Sequence, residues 1–267
     1  MLVVKLGGAQ GVGLDAICAD VVELVRGGQP VVLVHGGSAE TNALSEQLGH
    51  PARFLTNAQG LTSRYTDRAT LEIFAMVVNG KINTLLVETL QRGGVNAFGL
   101  SGLDGRLMRA ERKEAIRIVE NGRPRVIRDD YTGKIEAVDG ALLQALVGLG
   151  CVPVVAPLAL SAHGEALNVD ADRAAAAVAG AVKAARLIIL TNVPGLLRAF
   201  PDESTLIPRL PKTGLEQALS FAEGRMKKKV LGAAEALDLG VGEVILADGR
   251  IEHPLFAALA GNGTVIS

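Results

Sequence analysis

Tryptophan is absent from this chain of 267 residues, and only two tyrosines and six phenylalanines occur. Aromatic platforms on which nucleic-acid bases stack are therefore not expected. Neither sign of charge dominates. Twenty-seven basic residues face 28 acidic ones, a balance with no global attraction for nucleic acid or an anionic membrane. Cysteine is nearly missing: Cys18 and Cys151 lie far apart on apolar stretches, which predicts two buried, reduced thiols rather than a disulfide framework. Long hydrophobic runs are also lacking. The longest one beside a helix, 174–182, is too short to span a bilayer. The first strand begins with no charged segment or cleavage site before it, so the expectation is a soluble, cytoplasmic protein without a secretory signal.

The standard chemical motifs are missing as well. Gly80-Lys81 and Gly133-Lys134 are each followed by isoleucine, so no P-loop is formed, and no G-x-G-x-x-G follows a strand. His35, His50, His163 and His253 are scattered without metal-ligand spacing, and no G-x-S-x-G nucleophile turn occurs.

What is present is glycine and small apolar residues: 32 glycines, with 49% of the chain hydrophobic and 21% charged. This length buries a sizeable core as one large domain or two lobes. Strands are predicted at 3–6, 30–34, 96–100, 152–155, 187–190, 243–247 and 264–266, and an extended hairpin at 51–61. Helices are predicted at 14–25, 39–48, 67–78, 82–91, 141–149, 172–183, 226–237 and 255–259. The alternation predicts an α/β fold, a largely parallel sheet with helices on both faces.

Polar residues gather where these elements end. Val3-Val4-Lys5-Leu6-Gly7-Gly8 and, thirty residues on, Val31 to Val34 followed by His35-Gly36-Gly37-Ser38 are strands opening into glycine turns. Such turns let backbone amides approach an anion. Arg64, before a helix, has the reach to clamp a carboxylate bidentately. In Asn168-Val169-Asp170-Ala171-Asp172, Asp170 or Asn168 suits a helix cap. Thr191-Asn192-Val193-Pro194-Gly195 follows the most apolar strand, where a ligand loop belongs. Gly224-Arg225-Met226-Lys227-Lys228-Lys229 opens a helix with cations that its dipole disfavours, and a bound polyphosphate would supply the reason. Segment 106–134 carries nine basic residues against five acidic ones, with Asn121-Gly122 between two alternating runs. It reads as a hairpin, either simply solvated or a docking surface for an acidic partner.

Taken in order, these motifs, with Gly80-Lys81, Asn83 and Gly99-Leu100-Ser101-Gly102, resemble the amino acid kinase family in its acetylglutamate kinase branch. The resemblance covers essentially the whole chain. It implies a three-layer αβα sandwich around a mainly parallel, open sheet of about eight strands. A single domain, 1–267, would have an acid-binding lobe at about 1–165 and an ATP-binding lobe at about 166–267. It further implies transfer of the γ-phosphoryl group of ATP to a side-chain carboxylate, with Mg2+ arriving on the nucleotide and no metal held by the protein. Lys5 and Lys229 would neutralise the transferring group, with Asp172 orienting both. Amides of Gly8, Gly36 and Gly37 would meet phosphoryl oxygens, while Arg64 and Asn168 hold the acid. The nucleotide would lie against Lys5, Gly7, Gly8, Thr191, Asn192, Gly195, Met226 and Lys229. Homodimerisation through 67–78 is a further implication.

Two features depart from the common pattern of that branch: Ser38 stands where a third glycine is usual, and the 106–134 segment is more basic. Both resemble the branch members that phosphorylate α-aminoadipate, or glutamate, while its amino group is attached to the small acidic carrier protein LysW. Arg112, Lys113, Arg117, Arg123, Arg125 and Arg128 would then dock the carrier, because complementary charge steers partners. A kinase of free N-acetylglutamate in arginine biosynthesis has the same chemistry. A non-catalytic nucleotide sensor on this fold would not need Lys5, Asp172 and Lys229 together.

Overall fold

A computed structural model describes residues 1–7, 13–56, 62–112, 115–120 and 123–267. Strand β1 (Leu2–Leu6) leads through α1 (Leu14–Arg26) to β2 (Val31–His35) and α2 (Ser38–Gln47). A small hairpin, β3 (Phe54–Thr56) and β4 (Thr62–Arg64), precedes α3 (Arg68–Ala75), a π-helical stretch (Met76–Asn83) and α4 (Thr84–Arg92). Then come β5 (Ala97–Ser101), β6 (Met108–Arg112), the hairpin β7 (Ile116–Glu120) and β8 (Arg123–Ile127), and β9 (Gly133–Val138). They are followed by α5 (Gly140–Gly148), β10 (Val152–Ala156), β11 (Leu158–Leu160) and β12 (Ala166–Asn168). The last part comprises α6 (Ala171–Ala181), β13 (Arg186–Thr191), β14 (Arg209–Leu210), α7 (Leu215–Phe221) and α8 (Gly224–Asp238). It ends with β15 (Glu243–Asp248), α9 (Pro254–Leu259) and β16 (Thr264–Ile266).

Eight strands form one sheet in the order β14-β16-β15-β13-β1-β2-β10-β5. All pair in parallel except β15 with β16. Successive side chains along a strand point to opposite faces. Val3, Val32, Val34, Leu187, Ile189 and Leu246 therefore pack with α5, α6 and α8, through Leu143, Ala175 and Val230 among others. Leu2, Val4, Leu33, Ile188, Leu190 and Ile245 pack on the other face against α1, α4 and α9. Coverage on both faces explains why these strands read as continuous apolar runs. Ala174, Ala175, Ala176 and Ala179 of α6 are fully buried, and their small side chains bring that helix close to both the sheet and α8.

The main sheet agrees with the expected α/β architecture, and α2 and β5 sit within a residue of their predicted bounds. The hairpin expected at 51–61 appears as β3 and β4, with 57–61 outside the described residues. Other features differ. The two helices expected at 67–78 and 82–91 are one helical run, Arg68–Arg92, joined by the π stretch. By length and composition this run could cross a membrane. Its Leu71, Phe74 and Val78 instead pack on Ala156 and Leu158, and its Leu86 and Leu90 join the core beneath the sheet. A second sheet, β12-β11-β6-β9, has no counterpart among the predicted strands. Cys18 is buried as expected, whereas Cys151 is only half-buried.

The second sheet meets the first at Gly102, which follows β5. A Cβ there would lie 1.9 Å from the Leu158 carbonyl oxygen and 2.8 Å from the Met108 Cβ, both fixed in strands of the second sheet. Gly102→Ala should therefore destabilise the protein by about 2 kcal/mol or more. Gly148→Ala, in α5 with open space around it, should change stability by less than about 1 kcal/mol, in the stabilising direction. Chemical denaturation of the two variants checks both expectations.

Candidate active site

The site begins with strand register. Leu6 pairs with His35, Lys5 pairs with Val34 and with Ile189, and Thr191 pairs with Asp248. Gly7, Gly36 and Asn192 therefore leave the sheet together along its carboxyl edge. Open parallel sheets bind ligands at that edge, where the chain crosses to either side of a central strand. Here the central strand is β1, flanked by β2 and β13.

Lys5, Asp172 and Lys229 converge at this edge from β1, the first turn of α6 and the first turns of α8. The Lys5 Nζ lies 2.8 Å from Asp172 Oδ1. The Lys229 Nζ lies 3.1 Å and 3.2 Å from the two Asp172 oxygens. All three residues are buried. Burial alone would favour a protonated Asp172, but Lys229 and then Lys5 outweigh it and hold the carboxyl well below its ordinary range. Burial lowers Lys229 to about 8, with Asp172 opposing the shift and Lys5 adding to it. The cluster has two cations for one carboxylate. Beside it, Asp170 caps α6 by accepting from the Asp172 and Arg173 amides, and Lys228 reaches Asp170 at 3.4 Å. The lysines that the dipole of α8 disfavours are thus partly answered by the carboxylates of the neighbouring helix.

A second cationic centre lies at the start of α2. Gly37 is the N-cap of that helix, whose first amides have no intrahelical partners. The buried Arg64 side chain approaches the same helix. Its Nη2 donates to the Ser38 carbonyl at 3.1 Å, the Ser38 hydroxyl at 3.3 Å and Asn42 Oδ1 at 2.6 Å. Its Nη1 is buried with no protein partner. Burial and then Arg225 both oppose the Arg64 charge, so the first turn of α8 adds a second guanidinium facing the same region. Helix amides, an unpartnered guanidinium nitrogen and repelling cations together make an anion site.

The turn between Lys5 and Arg64 is held by His35. Asn83, placed by the π stretch, donates its amide to His35 Nε2 at 3.1 Å and to the Val154 carbonyl at 2.8 Å. The proton then belongs on Nδ1, which donates to the Gly36 carbonyl at 3.0 Å. Burial pushes the pKa of His35 down to about 4, so the ring is neutral and orients the turn instead of exchanging protons. Gly99 makes room for Asn83: a Cβ there would stand 2.2 Å from Asn83 Oδ1.

Asn168, in β12, donates through Nδ2 to the Thr66 hydroxyl at 3.0 Å, leaving Oδ1 as the atom it can offer a ligand. Thr191 is buried at the end of β13, Asn192 is exposed, and Met226 is half-buried against the core beneath α8. Gly195 fits tightly over Thr264, whose hydroxyl accepts from the Leu196 amide at 2.8 Å, so it shapes the loop after β13.

Two expectations need correction. The Gly36 amide, expected at phosphoryl oxygens, donates to the Leu6 carbonyl at 3.2 Å and closes the ladder between β1 and β2. Arg112, expected on a docking surface, is paired with Glu165 at 2.8 Å, bonded to the Asp130 carbonyl and stacked 3.8 Å over the Tyr131 ring. Arg128 is exposed. Gly8, Lys113 and the turn 121–122 lie outside the described residues, as do the side chains of Arg117, Arg123 and Arg125. Among the described residues no group of three or more His, Cys, Asp or Glu side chains could hold a metal ion.

Residues 1–248 match the model of the amino acid kinase family. The chain belongs to that family. It is 55% identical over 267 residues to the [LysW]-aminoadipate kinase of Deinococcus radiodurans, spanning the whole chain and 91% of that protein. It is 52% identical over 268 residues to the [LysW]-aminoadipate kinase of Thermus thermophilus, spanning both proteins completely. The N-acetylglutamate synthase of Neisseria gonorrhoeae, solved with coenzyme A and N-acetyl-glutamate, superposes with a TM-score of 0.80 at 27% identity, over all of this chain and 59% of that one. An amino acid kinase fold therefore also occurs within a synthase, so the fold alone does not fix the chemistry.

Because burial and Lys5 depress Lys229 while Asp172 supports it, a titration of lysine methylenes labelled at Cε should show one resonance with a midpoint near pH 8. Asp172→Asn should move that midpoint lower, since the attraction is lost and the burial stays. A midpoint in the variant near the ordinary lysine value of about 10.4 would contradict this electrostatic description.

Proposed function

We propose that this amino acid kinase transfers the γ-phosphoryl group of ATP to the side-chain carboxylate of α-aminoadipate carried on LysW, with carrier-borne glutamate as a second acceptor. The observation that carries the reading is the buried Lys5–Asp172–Lys229 cluster, one cation in excess, beside the Arg64 site at the start of α2. Whole-chain identity of 52–55% to proteins named [LysW]-aminoadipate kinase supports the choice of acid and carrier.

A carboxylate acceptor with an ordinary pKa of about 4.3 is ionised at neutral pH, so the reaction requires no general base. A carboxylate oxygen forms a bond to the γ-phosphorus as the bond from that phosphorus to the β,γ-bridging oxygen breaks, and ADP leaves without a proton transfer. The obstacle is bringing one anion against another. Lys5 and Lys229, turned into place by Asp172, offset the charge on the transferring group and the leaving oxygen. Arg64 and the first amides of α2 hold the α-carboxylate end of the acid, while Asn168 Oδ1 accepts from its amide N–H. Gly37, together with Gly7, presents backbone to the phosphoryl oxygens. The loop from Thr191 to Gly195 and the start of α8 around Met226 bound the nucleotide. Mg2+, bound by the nucleotide phosphates, would add charge neutralisation there.

The acid-binding lobe is about 1–165 and the ATP-binding lobe about 166–267, with Asn168 at the junction reaching the acid. The basic residues of the β7–β8 hairpin, with the exposed Arg128, receive the acidic carrier. Arg112 supports that region from beneath. The exposed Phe98 on edge strand β5, with Met76 and Leu85 on the long helix, supports association as a homodimer. The pathway is lysine biosynthesis in the cytoplasm.

Hydroxamate trapping of acyl phosphate tests the reading. With MgATP, carrier-borne aminoadipate should be turned over in strong preference to free N-acetylglutamate. That preference should weaken as salt screens the docking charges, over a Debye length of about 8 Å at physiological ionic strength. Equal or better turnover of free N-acetylglutamate, insensitive to salt, would assign the protein to arginine biosynthesis.

A further inference from the structure

Asp130 is 2% exposed and belongs to neither the cationic cluster nor the Arg64 site. It lies three residues past β8, at the base of the β7–β8 hairpin. Its Oδ2 accepts from the Thr66 amide at 3.2 Å, and its Oδ1 accepts from the Thr132 amide at 2.7 Å and from the Thr132 hydroxyl. The Tyr131 amide donates to the Thr66 carbonyl at 2.7 Å. Both polar groups of the Thr66 backbone are therefore held by the hairpin base.

Thr66 in turn touches both residues assigned to the acid. Its hydroxyl donates to the Arg64 carbonyl at 3.2 Å and accepts from Asn168 Nδ2 at 3.0 Å. The Asn168 amide donates to the Tyr131 carbonyl at 2.9 Å. The contacts from the hairpin base to the acid site are therefore continuous: one path runs through Thr66 to Arg64 and the Asn168 side chain, and a second runs from Tyr131 directly to the Asn168 backbone. An ionised carboxylate suits its start, because both oxygens accept and neither donates. An asparagine would turn an NH2 group against one of the two donor sets. A buried carboxylate is costly unless hydrogen-bonded, and a threonine hydroxyl and two backbone amides satisfy it here.

We infer that Asp130 is a positioning residue for the phosphoryl acceptor: it sets the Thr66 turn, and through it the Arg64 and Asn168 groups that hold the acid, from the base of the docking hairpin. This inference rests on the proposed assignment of Arg64 and Asn168 to the acid. Asp130 itself touches no reacting atom, so its loss should register in acceptor binding and leave the nucleotide side unaffected.

Steady-state kinetics on the full-length protein test it, using MgATP and aminoadipate on its carrier or as the N-acetylated free acid, whichever wild type accepts. Asp130→Asn should raise KM for the acid about tenfold or more, a loss typical of a buried hydrogen-bonding network, and leave KM for ATP within about twofold. Thr66→Val should do the same and Thr66→Ser should restore the acid KM, which covers the case of an Asp130 variant that does not fold. The Asp130→Asn, Thr66→Val double variant should be no worse than the weaker-binding single variant, because both act through one element. A lowered Tm with unchanged acid KM in both single variants, or equal rises in the acid and ATP KM values, would overturn the inference. If wild type turns over neither acid, the functional reading fails first and takes this inference with it.

Discussion

Two buried lysines share one buried aspartate, and the rest of the molecule is arranged to keep them there. Each ion removed from water costs several kcal/mol if it is not answered. Asp172 answers Lys229 at 3.1 Å and Lys5 at 2.8 Å, but it has one charge for two cations. Burial first, and the Lys5 charge after it, weaken Lys229 as an ammonium group, which is why its pKa lies near 8. A polyanion entering the carboxyl edge removes that imbalance. The cluster is therefore better matched to a phosphate-bearing state than to the empty one, which is what charge-based catalysis of phosphoryl transfer requires.

Holding three charges at that spacing needs rigid, close elements from distant parts of the chain. Lys5 is the second-last residue of the central strand, with hydrogen-bonded neighbours on both sides. Asp172 sits in a first turn fixed by the Asp170 cap and carried on an alanine-rich helix that lies close to the sheet. Lys229 follows from α8 packing against α6. The acid side uses a different device. There the neutral His35, fixed by Asn83, sets the Gly36 carbonyl, and the start of α2 follows from it. The phosphoryl side is thus built from charges and the acid side from a hydrogen-bonded backbone turn with an arginine behind it.

Much of this was legible in the sequence. The central strands are apolar on both faces, so they stand out as runs, and their ends mark the functional edge; Lys5, His35 and Thr191 were all located that way. Asp172 and Lys229 depended on resemblance to a family, since nothing local says that residues 57 apart will meet. The second sheet escaped for a physical reason. In β6 only Met108 and Ala110 are buried between exposed Arg109 and Glu111, an alternation too short and too charged to distinguish from loop. The ladder bond that occupies the Gly36 amide depends on the register of β1 against β2, which pattern alone does not specify. Arg112 looked like surface charge because its partners, Glu165 and Tyr131, come from other elements. The Thr66–Asp130 bond was hidden in the same way, because its two partners lie 64 residues apart in the chain.

The central claim is that the lysine cluster acts on the transition state and does more than retain the nucleotide. The direct measurement is kcat together with the dissociation constant of MgATP for Lys229→Ala. The account predicts a fall in kcat of at least about a hundredfold with nucleotide affinity changed by less than about fivefold, the signature of an interaction made chiefly in the transition state. A large loss of MgATP binding with turnover unchanged at saturation would contradict it and leave Lys229 as a binding residue only.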